Sequence, residues 1–373
     1  MITAEPALDG SAAAETLEAG EVDLAPGDAL PFTFTPAAVW SPLVISFPHV
    51  GLDWPADDPR PRPAVNFARN ADLEVDRLYP DAAALGAATV RARYSRLLID
   101  LNRATDDVSA ALVPDHPAPR PRQPPWAVAG PRTPAVHNRG LIWRTAVGNV
   151  QILAGSLSYA ELQLRLRRYY DPYHRAIEVL LARRRARFGF AVLLEAHSMP
   201  GSVPGDLVLG TFEGGACSPE LEARGLAALS APGPGGVTLS VRLNDPYRGG
   251  ELVRKFGRPE LGVHALQLEV NRALYMDEVS LMLRPEIAMR GPLEIRPETE
   301  PRRGRAAPVP APAPLALLHR VKSLVTALAA ASPPTAAITT PQTSLPAVSP
   351  TLLPPPRTAA HFGEPLCRRR PRG

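Results

Sequence analysis

Residues 190–200, FAVLLEAHSMP, decide the fold. The first five residues are apolar, and such a short uninterrupted run is typical of a strand that is buried on both faces of a sheet. A long helical pattern precedes it at residues 158–188 and opens with Ser158 and Glu161 in a capping box. A helix that leads directly into a fully buried strand predicts an α/β domain.

Other short apolar runs repeat this alternation along the chain. Pro172 is predicted to kink or divide the long helix, because proline lacks the N–H that a helix interior requires. The pattern therefore predicts the α/β fold class, with helices on both faces of a sheet. Further strands are predicted at residues 43–47, 94–101, 237–243 and 264–270.

The chain divides by composition into three regions. Residues 1–38 carry seven acidic residues and no Lys or Arg, which predicts an acidic, flexible N-terminal arm. Residues 39–295 are the predicted folded body, and residues 296–373 are a low-complexity tail rich in Pro and Arg. Apolar residues at helical spacing predict a short helix near residues 315–331, which packs either on the body or on a partner. Deletion of residues 1–30 and 300–373 is predicted to leave a folded, active body, because these segments hold too few apolar residues for a core.

Composition excludes several classes of protein. No run of about 18 apolar residues occurs, so the sequence predicts no membrane-spanning helix. The isoelectric point near 9.3 comes from the tail, which holds eleven Lys and Arg against three Glu, and nucleic-acid binding by the near-neutral body is not expected. Two cysteines cannot build a disulfide scaffold, and the N-terminal residues lack a secretory pattern, so we expect a cytoplasmic protein. The sequence carries no signal for an oligomeric state.

Two histidines follow predicted strands, at the positions where α/β proteins bind their ligands. His49 follows the strand at residues 43–47, and His197 follows the strand at residues 190–196. They either share a metal ion or are ordinary hydrogen-bonded side chains, and a catalytic zinc needs a third protein ligand. The carboxylate candidates for the third ligand are Asp72, Glu74 and Asp76. The alternative interpretation is that these acids only stabilise the start of a helix.

Further polar clusters stand at the ends of predicted elements. Arginine close to asparagine suits the capture of a carboxylate, because the guanidinium group can bind both oxygens. A glutamate inside an apolar strand is costly to bury, so Glu269 either pairs with a neighbouring arginine or has a chemical function. The other clusters are Ser95-Arg96, Asp100–Arg103 and the loop Asn244–Gly250.

Seven motifs spread over about residues 40–285 together resemble the N-formylglutamate amidohydrolase family. In chain order they are PHVG, DLEVDRLY, YSRLLIDLNR, RLRRYYDPYH, EAHSMP, NDPYRGG and QLEVNRALYM. One motif would be weak, but this many in register are specific to the family. The resemblance implies a zinc-carboxypeptidase-like fold, which is a mixed sheet wrapped by helices. It also implies zinc-dependent hydrolysis of N-formyl-L-glutamate, a small N-acyl amino acid, to formate and L-glutamate in histidine degradation.

The resemblance implies which residues hold the metal. One zinc ion would be bound by His49, Asp72 and His197, with Asp76 as the alternative carboxylate. A valine replaces the serine that usually follows the first histidine. Glu195 replaces the aspartate that usually stands two residues before the second histidine, and it is expected to contact the metal-binding residues without binding the metal itself.

The resemblance also implies which residues act on the substrate. Glu269 matches the strand glutamate that serves as the general base. Asn102 and Arg103 match a pair that holds a substrate carboxylate. Further candidates for the same pocket are Arg96, Asn244 and Arg272.

Three alternatives stand beside this interpretation. The first is a member of the same family that acts on another N-acyl amino acid. The second is a non-catalytic member that acts through its basic tail. The third is a hydrolase built on Cys217, although a loop cysteine without a function is the simpler interpretation of that residue.

Overall fold

A seven-stranded mixed sheet forms the centre of the protein. The computed structural model describes residues 15–121, 139–288 and 313–333. The strand order is β1-β3-β2-β4-β7-β5-β6, in which β1–β3 and β5–β7 are antiparallel pairs and the other neighbours are parallel. The strands are β1 Phe32–Thr35, β2 Leu43–Phe47, β3 Ala88–Ala92, β4 Ala191–Met199, β5 Leu207–Gly210, β6 Val241–Leu243 and β7 Val263–Asn271.

Six α-helices accompany the sheet in the described ranges. The long helical pattern is divided, because a π-helical turn at Leu166–Tyr170 separates two helices and Pro172 lies at the start of the second. Proline is tolerated in the first turn of a helix, because the missing N–H is not required there as a donor. None of the helices described is both long and apolar enough to cross a membrane. The helices are α1 Tyr159–Arg165, α2 Asp171–Phe188, α3 Pro219–Ser230, α4 Glu251–Phe256, α5 Pro285–Ala288 and α6 Ala313–Ala329.

The helices cover both faces of the sheet, as the sequence predicted. Along β4, Val192 and Leu194 enter one apolar cluster together with residues of α3 and α6. Ala191 and Leu193 enter the opposite cluster together with residues of α1, α2 and α4. Since alternate residues of a strand point to opposite faces, β4 is buried on both sides, which explains its uninterrupted apolar sequence.

The predicted strand at residues 94–101 is wrong. The preceding strand ends at Ala92, and the chain then forms a turn in which Leu98 N–H donates to the Ser95 carbonyl. Leu97, Leu98 and Ile99 are buried although they belong to no strand. Burial beneath a loop gives the same apolar run as burial in a sheet, so the pattern did not distinguish them. The prediction at residues 237–243 was too long, because β6 holds only the last three residues.

The segments outside the predicted body pack on it wherever the structure describes them. Val22 and Phe32 are buried in the cluster that contains α2, so residues 15–38 do not form the flexible arm that the sequence predicted. Helix α6 lies against α3 and buries Leu317, Val321 and Leu324. Of the two alternatives for this helix, the structure therefore shows packing on the body. Residues 1–14, 289–312 and 334–373 lie outside the described ranges.

Candidate metal centre and active site

Two histidines meet at the carboxyl edge of the sheet because β2 and β4 are parallel neighbours. His49 lies two residues beyond the end of β2, and His197 is the third residue from the end of β4. The loop after β2 returns to the same edge, where the N–H of Asp72 donates to the carbonyl of His49 across 2.9 Å. The topology thus places three side chains that could bind a metal at one point.

The side chains of these three residues form a buried group. Oδ2 of Asp72 lies 2.8 Å from Nδ1 of His197 and 3.4 Å from Nδ1 of His49. One ligand atom from each residue lies within 4.8 Å of the others, and each residue is no more than 3 % exposed. Two imidazole nitrogens and a carboxylate oxygen are a donor set that zinc accepts.

In both histidines, the ring nitrogen Nε2 contacts a carboxylate. Nε2 of His49 lies 2.7 Å from Asp100, and Nε2 of His197 lies 2.9 Å from Glu195. When Nε2–H donates to a carboxylate, the neutral ring presents the lone pair of Nδ1, and such partners orient histidines that bind metals. Nδ1 of His49 is buried and makes no hydrogen bond among the described residues. The residues present therefore fit a metal ion.

Electrostatics in the group favour an ionised carboxylate. Burial raises the pKa of Asp72, but the hydrogen bond from His197 and the nearby ring of His49 outweigh this and hold that pKa well below its usual range. Burial lowers the pKa of His197, while Glu195 and Asp72 raise it well above the ordinary value. The group is thus arranged to accept positive charge at a buried position, where electrostatic interactions are stronger than in water.

The other two acids of the DLEVD motif point elsewhere. Asp76 pairs with Arg91 on β3, and Glu74 pairs with Arg77 at 2.9 Å. Asp72 and Asp76 do not share one face of a helix, because Glu74 has a positive φ of 59° that breaks the segment. Only Asp72 joins the histidines.

Glu269 lies next to the histidine group across the sheet. It is the register partner of His197 in the parallel pair of β4 and β7. Gln267 donates to its Oε1 across 2.9 Å, and none of the arginines described forms an ion pair with it. Burial raises the pKa of Glu269 to about 8, assisted by the charge of Asp72 and opposed by His197. A buried carboxyl that is poised to exchange a proton suits acid–base chemistry.

A cavity of about 240 Å³ opens in front of these side chains. Arg96 donates twice to Oδ2 of Asp100, and Arg272 donates to Asp72 across 3.2 Å. Because the lining arginines outnumber the lining acids, the cavity suits an anionic ligand. The arginines that line it are Arg69, Arg96, Arg103, Arg139, Arg248 and Arg272.

Asn102 lines the cavity, but its side chain is used by the protein. Its Oδ1 accepts the N–H of Leu252 at the start of α4, and its Nδ2 lies 3.2 Å from Nε2 of His197. A Cβ at Gly250 would lie 2.3 Å from Nδ2 of Asn102, so glycine is required for this close approach. The structure thus gives Asn102 a positioning contact, and Arg103 lies beside it on the cavity wall.

Asn244 does not reach the cavity, which corrects its assignment to the substrate pocket. Its Oδ1 accepts the N–H groups of Thr211 and Glu213, at 2.8 and 3.3 Å. It therefore stabilises the turn after β5. The later residues of the same loop, Tyr247–Gly250, line the cavity instead.

Sequence reasoning missed several residues that build the site. Asp100 was noted only as part of a cluster, yet it is fully buried and accepts from Trp143 Nε1 at 3.1 Å as well as from His49. A buried aspartate at the end of an apolar run was an available signal. Arg139 and Trp143 carried no such signal, because a distant segment brings them to the cavity.

Cys217 is not placed to act as a nucleophile. It is 2 % exposed, and it is absent from the residues that line the cavity. Burial raises the pKa of its thiol to about 12, so the reactive thiolate is not accessible at neutral pH.

The fold and the site together define an α/β protein with a buried candidate metal centre in a cationic cavity. A sequence model of N-formylglutamate amidohydrolase matches residues 41–276. The chain belongs to the N-formylglutamate amidohydrolase family, which confirms the resemblance found in the sequence.

Individual relatives support the same membership. N-formylglutamate deformylase of Pseudomonas aeruginosa is 37 % identical over 247 residues, covering 64 % of this chain and 83 % of the relative. N-formylglutamate deformylase of Pseudomonas putida is 33 % identical over 253 residues, covering 64 % and 82 %. The crystal structure of N-formylglutamate amidohydrolase from Ralstonia eutropha JMP134 has a TM-score of 0.62 and 28 % identity, covering 81 % of this chain and 98 % of that one.

Proposed function

We propose that this protein hydrolyses the amide bond of N-formyl-L-glutamate to give formate and L-glutamate, a step in histidine degradation. Membership of the family and the names of the two Pseudomonas relatives support this substrate. The observation that carries the proposal is the buried group of His49, Asp72 and His197 with Glu269 beside it, in a cavity that is rich in arginine. We also propose a zinc-carboxypeptidase-like fold and a cytoplasmic location.

One zinc ion is the proposed cofactor, held by His49, Asp72 and His197. The free Nδ1 of His49 and the carboxylates behind both rings support this assignment. When bound, zinc supplies a Lewis acid that polarises a carbonyl group and acidifies water.

Glu269 is the proposed general base and acid. Its carboxylate accepts a proton from the attacking water as the new bond to the formyl carbon forms. It then gives the proton to the amine nitrogen as the carbon–nitrogen bond breaks, and it ends the cycle ionised again. Its hydrogen bond from Gln267 fixes one oxygen, which leaves the other for the reaction.

The cationic cavity binds and orients the substrate. N-formylglutamate carries two carboxylates, and a guanidinium group can bind a carboxylate through two parallel hydrogen bonds. Holding the substrate at both ends places the formyl group at a fixed distance from Glu269, which lowers the entropic part of the barrier. Arg103, Arg96 and Arg272 were predicted for this task and line the cavity.

Metal analysis and an activity assay test the proposal directly. The purified protein should contain one equivalent of zinc and release formate from N-formyl-L-glutamate, and a chelator should abolish the release. N-acetyl-L-glutamate and N-formyl-L-leucine serve as comparison substrates. Faster turnover of either would move the function to another N-acyl amino acid, and a zinc-loaded protein without any turnover would indicate a non-catalytic family member.

A further inference from the structure

Arg139 occupies a special position on the wall of the cavity. Its Cζ atom lies 5.2 Å from the centre of the Trp143 ring, and one of its N–H groups donates to the carbonyl of Ala146 across 3.1 Å. Arg96 lies over the same ring at 4.7 Å. Trp143 in turn donates to the buried Asp100, which fixes the ring. Two guanidinium groups thus pack against one fixed aromatic ring at the wall of the cavity.

Arg139 differs in its charge balance from three other arginines of the cavity. Arg96 pairs with Asp100, Arg272 pairs with Asp72, and Arg248 pairs with Glu213. No carboxylate of the described residues lies within ion-pair distance of Arg139. Burial and the neighbouring positive charge of Arg96 lower the pKa of Arg139, although an arginine stays charged. A bound anion would relieve this uncompensated charge.

Arg69 likewise forms no ion pair with a carboxylate of the described residues, but its setting is different. It is exposed, and two of its N–H groups donate to the carbonyls of Glu278 and Val279. Solvent screens an exposed charge far more strongly than a half-buried one. Arg139 is therefore the stronger anion-binding group.

We propose that Arg139 binds the side-chain carboxylate of the N-formylglutamate substrate and sets its specificity; the inference rests on the proposed function. The α-carboxylate is attached to the carbon next to the reacting nitrogen, so it must stay close to the metal group, where Arg272 contacts Asp72. The carbon of the side-chain carboxylate is three bonds from this same carbon, whereas that of the α-carboxylate is one bond away. Arg139 is separated from His49 by Asp100 and Trp143, which suits the more distant carboxylate.

Substrate selectivity of the zinc-loaded, full-length protein tests this role. Values of kcat and KM are measured for N-formyl-L-glutamate and for N-formyl-L-glutamine, which lacks the side-chain charge. Wild type should prefer the glutamate substrate. Arg139→Gln should lower kcat/KM for N-formyl-L-glutamate on the order of 10- to 100-fold, mainly through KM, because one charge-assisted contact is lost. It should leave the glutamine substrate nearly unaffected, and Arg139→Lys should restore part of the preference.

Two matched variants complete the test. Arg93→Gln removes an arginine that also stacks on an aromatic ring, Tyr94 at 5.7 Å, but lies outside the cavity, so both substrates should keep wild-type kinetics. Arg69→Gln removes the exposed cavity arginine. An equal loss for both substrates in Arg139→Gln would show that Arg139 acts only through its contacts with Trp143 and Ala146. A loss of preference in Arg69→Gln but not in Arg139→Gln would assign the carboxylate to Arg69. Either result overturns the proposal.

Calorimetry separates this inference from the proposed function. If wild type does not hydrolyse N-formyl-L-glutamate at all, the proposed function fails. Titration of wild type and Arg139→Gln with glutarate and with its monoamide still measures carboxylate binding. Weaker binding of glutarate alone in the variant would support a dicarboxylate site at Arg139, and equal binding to both proteins would refute it.

Discussion

Nε2 of His49 lies 2.7 Å from Oδ1 of Asp100. The second oxygen of this fully buried carboxylate accepts from Arg96 and from Trp143, so the carboxylate cannot rotate away from the imidazole. This contact fixes the ring and directs Nδ1 toward Asp72, 3.4 Å away. The relationship links the proposed metal group to the aromatic and cationic wall of the cavity.

The first prediction follows from this contact. Asp100→Asn replaces the carboxylate that fixes the histidine tautomer by a neutral amide with one acceptor oxygen, and loss of such a partner typically weakens metal binding about 10- to 100-fold. Competition with a chelator measures the zinc affinity of the folded variant. Asp57→Asn is the control, since that exposed carboxylate pairs with Arg168 away from the histidines. Unchanged zinc affinity in Asp100→Asn would show that the contact is not required for the metal.

The second prediction concerns Glu269. Glu269→Gln keeps the shape of the side chain but cannot accept the proton, so kcat should fall on the order of 100-fold or more. Zinc content should stay at the wild-type level, because Glu269 is not among the proposed ligands. Glu260→Gln replaces an exposed glutamate and should have no effect. Normal turnover by Glu269→Gln would reassign the base, with Glu195 as the next candidate.

The third prediction concerns α6, Ala313–Ala329. Leu324 is fully buried against α3, where its Cδ1 lies 3.6 Å from the place of a Cβ on Gly225. Leu324→Ala should lower the free energy of unfolding by about 2–5 kcal/mol, as measured in urea. Leu315→Ala, at a position that is 40 % exposed on the same helix, should change it little. Equal stabilities for the two variants would mean that α6 is not docked in solution.

The fourth prediction concerns the N-terminal segment. Arg184 donates to both oxygens of Glu15, each across 2.8 Å, and both side chains are fully buried. Glu15→Ala leaves a buried guanidinium without its partner, which typically costs about 3–5 kcal/mol. The double variant Glu15→Leu with Arg184→Met should recover most of this loss in denaturant unfolding. A single variant as stable as wild type would show that residues near Glu15 detach readily.

Periodicity in the sequence predicted those parts of the fold that are buried on two faces. The runs at residues 43–47 and 190–196 are strands because a central parallel strand has no polar face. Residues 94–101 contain the apolar run Leu97–Ile99, which is buried in a loop, and periodicity does not distinguish this from a strand. The arms were predicted to be dispensable because few large apolar residues occur near them. In the part of the chain that the structure describes, Val22 and Leu317 are nevertheless buried.

The candidate site was predictable as far as it depends on strand ends. His49 and His197 could be paired because parallel strands bring their carboxyl ends to one edge. The assignment of Asn244 to the substrate pocket was wrong, because the sequence of a loop does not reveal which of its side chains face the cavity. The position of Arg139 at the cavity could not be predicted from the sequence, since it depends on the tertiary contact of Trp143 with Asp100.

The fifth prediction concerns the loss of stability in acid. His174 is buried, its Nε2–H donates to the carbonyl of Leu101 across 2.8 Å, and the ammonium group of Lys255 lies 3.1 Å from Nδ1. Burial and then the charge of Lys255 hold the pKa of His174 well below its usual value. Below pH about 6.5 the unfolded chain therefore binds a proton that the folded protein refuses, and stability falls by up to about 1.4 kcal/mol per pH unit until the low folded pKa is reached.

Substituting this histidine isolates its contribution. His174→Gln keeps an N–H donor for the Leu101 carbonyl but does not titrate. Between pH 8 and pH 5, the variant should therefore lose about 2 kcal/mol less unfolding free energy than wild type, because that pH range extends about 1.5 units below the unfolded pKa. His319→Gln alters an exposed histidine on α6 and should lose as much as wild type. If His174→Gln loses as much as wild type as well, His174 is not buried in its neutral form.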